Sequence, residues 1–152
     1  MTTNFFVAID EVLEEWGHDA VIDKENLAGE SIRVDQLIHK YQKYWFQASR
    51  VARGLAGDLK RLRLEKFEFY TKGASKERKP TGWRQAPQGL LTKTEASQYV
   101  DADPDVLALV DRLGAANDAL TLIEEIRETL KKRTFHISNA LNSEKFFAGV
   151  DR

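Results

Sequence analysis

A chain of 152 residues is long enough for one domain with a real core, and with no cysteine it excludes disulfides and thiolate metal sites and fits a reducing compartment. The formal charge of −1 conceals a strong asymmetry: residues 1–39 sum to −7, residues 40–93 to +10 and residues 94–152 to −4. No segment approaches the ~20 apolar residues of a membrane span, and the acidic start MTTNFFVAIDEVLEEW lacks the features of a signal peptide, so a soluble cytoplasmic chain is expected.

Residues 3–16 read as a short amphipathic helix with Phe6, Ile9, Leu13 and Trp16 on one side. Thr2 or Thr3 would cap it and Gly17 would end it. A turn or extended piece follows around Val21-Ile22-Asp23, with Asp23 or Asn26 as a further cap and Gly29 as a break. Residues 1–30 thus form an acidic N-terminal helix and turn.

Residues 31–72 form the element around which the rest is arranged. They contain no proline, and Val34, Ile38, Tyr41, Trp45, Ala48, Ala52, Leu55, Leu59 and Leu62 recur in alternating steps of four and three. That spacing is a heptad seam and predicts one long helix that packs along most of its length. With Ile38, Trp45, Ala52 and Leu59 at the a positions, Lys40, Lys43, Arg50, Arg53, Lys60 and Arg61 all fall at b, c or f, away from the seam. Past Leu62 the seam runs on to Lys66 and Phe69, so a lysine takes an apolar place. Gly54 and Gly57 each cost about 1 kcal/mol relative to alanine in a helix interior. They read as a close approach by a neighbouring helix, in preference to a hinge.

Residues 73–102 are a basic loop and the approach to the last helix. Pro80, Pro87 and three glycines remove any period, and Trp83 is the only large ring of the loop. Thr94 to Val100 reads as a short helix or an irregular approach. Asp103-Pro104 is a helix start, a capping aspartate before proline at the first helical position. From there Leu107, Val110, Leu113, Ala116, Leu120, Ile123, Ile126 and Leu130 make a second apolar stripe. Lys131-Lys132-Arg133 suits a C-terminal turn, and Phe135, Ile137, Leu141, Phe146 and Phe147 extend or restart a helix within residues 103–149. The expected fold is all-α: a single helical domain, 1–152, of two long helices and shorter ones. Such long apolar faces, with Phe146 and Phe147 near the end, favour self-association as a closed ring or bundle; a long antiparallel hairpin within one chain is the alternative.

Catalytic chemistry finds no support. His18, His39 and His136 are too scattered for a metal, no phosphate-binding loop or nucleophile elbow occurs, and acid pairs such as Glu14-Glu15 and Glu124-Glu125 read as solvated faces. No cofactor or metal is expected, and the reading is not enzymatic. The basic middle differs. Its cations are interleaved with Tyr41, Tyr44, Trp45, Phe46, Phe67, Phe69, Tyr70 and Trp83, the mixture that single-stranded nucleic acid requires. Tyr41 and Trp45 lie on the seam and read as core. Candidate contacts are Lys40, Lys43, Arg50, Arg53, Lys60, Arg61, Arg63, Lys66, Lys72, Lys76, Arg78, Lys79 and Arg84, densest from Lys60 onward. Two other readings are a helical adaptor for an acidic protein and an architectural protein on duplex DNA.

Four stretches in order, EEWGHDAVIDKENL, LEKFEFYTKG, KTEASQYVDADPDVL and RTFHISNALNSEKFFAG, make the chain resemble the UvsY recombination mediators of T-even-type bacteriophages. The resemblance implies a small all-helical protein forming a ring-shaped homo-oligomer, a hexamer or heptamer, through its C-terminal helices. Leu120, Ile123, Leu130, Phe135, Leu141, Phe146 and Phe147 would then serve oligomerisation. It also implies binding of single-stranded DNA, displacement of the single-strand-binding protein and loading of the phage recombinase, in the host cell cytoplasm. By position, Lys66 matches a basic residue that the family uses on DNA. The family's other basic position reads as Leu64, so Lys60, Arg61 and Arg63 would share the role.

Overall fold

Four helices follow one another, α1 (Phe5–Asp19), α2 (Leu27–Lys72), α3 (Lys93–Ala102) and α4 (Pro104–Ala148), with no strand among the described residues. The computed structural model describes residues 5–74 and 82–149, the side chains of 5–8 excepted. The Thr2 or Thr3 cap and the packing of Phe6 lie outside that description. By contact, the chain divides into two compact units, Met1–Val51 with Ala116–Arg152, and Ala52–Ala115. Both long helices contribute to each.

The first unit is built from α1, the start of α2 and the end of α4. Its core is Val12, Leu37, Tyr41, Ala48, Ile123, Ile126 and Leu130, with Trp16, Ile38, Tyr44, Trp45 and Leu120 packed against it. The seam of α2 is therefore the face that packs, as its spacing requires. α1 does not stop at Gly17. It continues to Asp19, because Arg133 of α4 donates to the carbonyls of Asp19 (3.1 Å) and Ala20 (2.8 Å) and so satisfies the exposed end of the helix. α2 starts four residues before the expected Ser31. Asn26 accepts from the Gly29 amide (3.2 Å) as its cap, which places Gly29 inside the first turn instead of at a break.

The second unit holds the rest of α2, the connection, α3 and the start of α4. Its core is Phe69, Tyr70, Ala86, Leu91, Ala96, Val100 and Val106, with Leu59, Leu62, Phe67, Trp83 and Tyr99 against it. The segment 82–92 is not a free loop: Leu91 N–H donates to Tyr70 O (2.9 Å) and Gln85 to Phe69 O (3.0 Å). Thr92 and Glu95 form a reciprocal capping box that fixes the start of α3. Asp103 caps α4, accepting from the amides of Asp105 (2.9 Å) and Val106 (3.2 Å), with Pro104 as the first helical residue. The helix then runs unbroken past Lys131-Lys132-Arg133 to Ala148. Arg133 is buried in the first unit and carries out its capping there, on α1.

Candidate nucleic-acid interface

Helix α2 carries most of the candidate cations, and the structure divides them into used and unused. Lys40 is used. Its ammonium meets Asp19 at 2.7 Å and Glu15 at 3.1 Å, both from α1. Asp19 also accepts from the Tyr41 hydroxyl (2.9 Å) and pairs with Arg33, while Glu15 accepts from Tyr44 (2.7 Å). Burial pushes the Asp19 carboxyl up, but the bonds from Lys40 and Tyr41 outweigh it and hold its pKa below the ordinary value. Lys40 is thus half-spent on the acidic helix and is a poor phosphate ligand in this arrangement.

Lys66 is withdrawn altogether. It is 3% exposed, and its ammonium lies 3.0 Å from Asp103 and 2.8 Å from Asp105, directly over the Trp83 ring at 3.9 Å from the centroid. Tyr70 donates to the same Asp103 carboxylate at 2.6 Å. Against the cost of burial, the bonds from Tyr70, Lys66 and the Val106 amide hold the Asp103 pKa below its ordinary value; burial and Asp103 push the Tyr70 hydroxyl up. Direct contact of Lys66 with DNA would strip a lysine from two carboxylates and leave them uncompensated. The position expected to touch DNA lies in an internal ion pair in this structure. Trp83 packs edge-on against Phe69 at 5.4 Å and lies in the same core.

Arg61 pairs with Asp58 and Arg63 with Asp101 at 3.0 Å, but these are exposed pairs of small energy that a polyanion would displace readily. Lys43 and Arg50 in the first unit, and Arg53, Lys60, Lys72 and Arg84 in the second, are exposed and have no ion pair among the described residues. Lys76, Arg78 and Lys79 lie outside the described residues. A groove of about 300 Å³ runs along the first part of α2, lined by Gln36, His39, Lys40, Lys43, Tyr44 and Gln47. Of the phenylalanine, tyrosine and tryptophan rings on α2, Phe46 alone is exposed, at 54%.

The expected close approach at Gly54 and Gly57 is absent. A β-carbon at either position would meet nothing within 4 Å. Both lie on the open side of α2, next to Arg53 and Lys60.

The residues assigned to oligomerisation also divide. Ile123 and Leu130 are buried in the core of their own chain and Leu120 packs against it, so in this fold they are not available to a second copy. Leu141 is half-buried, whereas Phe135, Phe146 and Phe147 are exposed, the last two at 71% and 86%. Sequence reasoning missed the Asp19 hub, the Trp83–Lys66 contact and the Arg133 cap. Each joins residues far apart in the chain, which no local period reports. The seam did carry one signal, since it put Lys66 on the inner side.

No group of acidic or histidine side chains among the described residues is arranged to hold a metal ion. No helix among them is long and apolar enough to cross a membrane. A sequence model for the family described as recombination, repair and single-stranded-DNA-binding protein UvsY matches residues 15–150. No curated protein sequence matches significantly. The crystal structure of the bacteriophage T4 recombination mediator protein UvsY superposes with a TM-score of 0.77 at 18% identity, over 91% of this chain and 98% of that one.

Proposed function

The chain belongs to the UvsY family of recombination, repair and single-stranded-DNA-binding proteins, and from that premise we propose that it is a recombination mediator that holds single-stranded DNA on the open side of α2. One observation carries the reading beyond the family. Lys43 and Arg50 in the first unit, and Arg53 and Lys60 in the second, are exposed at positions off the packed seam and have no ion pair among the described residues. Arg61 and Arg63 join them once their weak pairs yield. Cations set in this way neutralise successive phosphates and release counterions. The internal Lys66 takes no part.

In this proposal several copies assemble, as a ring-shaped hexamer or heptamer, through the exposed end of α4 with Phe135, Phe146 and Phe147. Assembly turns weak sites into tight binding by raising the effective concentration of cations along one strand. The bound strand is then presented to the phage recombinase while the single-strand-binding protein leaves, in the cytoplasm of the host. No bond is made or broken in these steps, and the role is not enzymatic.

Filter binding of single-stranded oligonucleotides across a salt series tests the proposal. Retention should fall steeply with salt, and duplex should compete poorly. Replacing Arg53 and Lys60 together by alanine should weaken binding and flatten the slope by about 1.4, at about 0.7 per lost contact on single strands. No retention at low salt, or preference for duplex, would refute it.

A further inference from the structure

We propose that Phe46 is a base-stacking platform, the place where the protein touches the bases of single-stranded DNA and not only its phosphates. This rests on the single-strand-binding reading above and adds a contact to it. The sequence offers many rings in the basic region, and the structure eliminates most of them. Tyr41, Phe69 and Tyr70 are buried, and Trp45, Phe67 and Trp83 pack against the two cores. Tyr44 is tied to Glu15. Phe46 remains, more than half exposed.

Its neighbours give the ring a partner of definite chemistry. Lys43 and Arg50 stand three residues before and four after it, which places all three on one helix face. By helix geometry the two cations are about 10 Å apart along the axis, with the ring between them. Neither has an ion pair among the described residues. An apolar ring between two free cations is poorly suited to an acidic peptide, which offers charge but few flat faces. It suits a strand whose phosphates meet the cations and whose base lies on the ring. The ring is also held in place. Trp45 meets it edge-on at 5.3 Å, and the Trp45 indole is itself fixed by donation to Glu124 at 3.0 Å. A pre-positioned ring loses little freedom when a base settles on it.

The test compares wild type, Phe46→Ala, Phe46→Leu and Phe46→Trp on oligo-dT and on an abasic strand with the same number of phosphates. Stacking on one base predicts roughly ten-fold weaker binding of oligo-dT by the alanine and leucine variants, recovery in the tryptophan variant, and an unchanged salt slope. All four proteins should bind the abasic strand alike. Phe46 is exposed, so the fold should survive, and circular dichroism verifies it. Equal binding of oligo-dT by wild type and Phe46→Ala would overturn this inference alone, as would an equal loss on the abasic strand or full recovery by leucine. A fall in assembly mass on light scattering in Phe46→Ala would assign the ring to contacts between copies and overturn it too. No binding of any strand by wild type would overturn the parent reading as well.

Discussion

Lys66 shows how far one side chain's surroundings decide its role. A lysine in a basic stretch invites a phosphate, yet its seam position turns it inward, and burial then obliges it to find carboxylates. Asp103 answers that need while capping α4, so one carboxylate serves a helix end, a lysine and Tyr70 together. Asp103→Asn keeps the shape and the cap but removes the charge. It should cost about 3 kcal/mol at neutral pH, the lower end for breaking a buried pair, since Asp105 remains. The folded-state pKa of Asp103 is depressed, so its stabilisation is complete above the ordinary value of 3.8 and is lost as pH falls through the lower folded value. Urea denaturation should therefore show a full gap between wild type and variant at pH 7, closing below about pH 4.

At the scale of elements, the pattern of α2 was readable and its glycines were not. Period alone located the helix and its packed side, because the steps of four and three follow from 3.6 residues per turn. Asp103-Pro104 likewise marked the start of α4. Gly17 and Gly29 misled, because distant groups overrule local preference: Arg133 extends α1 beyond one glycine, and Asn26 starts α2 ahead of the other. Gly54 and Gly57 misled differently, since a missing side chain looks the same in a sequence whether a neighbour fills the space or nothing does. The structure supplies the difference. With open space around both positions, Gly54→Ala and Gly57→Ala should each raise stability by about 1 kcal/mol, as seen by a higher urea midpoint with an unchanged slope. A loss of stability in either would mean that something does press on that face.

For the whole molecule, the charge asymmetry was legible but its arithmetic was too generous. Residues 40–93 sum to +10, yet Lys66 is internal and Lys40 is held by α1. The family likeness was legible in four ordered stretches, while the assignment of single residues was not, because burial depends on contacts between helices remote in sequence. The apolar end of α4 behaves in the same way. Ile123 and Leu130 satisfy their own core, whereas Phe146 and Phe147 have no cover within the described residues. Phe146→Ser with Phe147→Ser should lower the mass found by light scattering and weaken DNA binding through lost avidity, while leaving the urea midpoint of the dissociated chain nearly unchanged. An unchanged mass would count against these two rings as the seat of the proposed assembly.

The indole of Trp83 has one more consequence. It is the only tryptophan between Ala52 and Ala115, and it lies 3.9 Å from a buried ammonium. Its emission is therefore tied to the state of that ion cluster, whereas Trp16 and Trp45 report on the other core. The protein carries a native optical gauge for one half of itself, legible without any attached label.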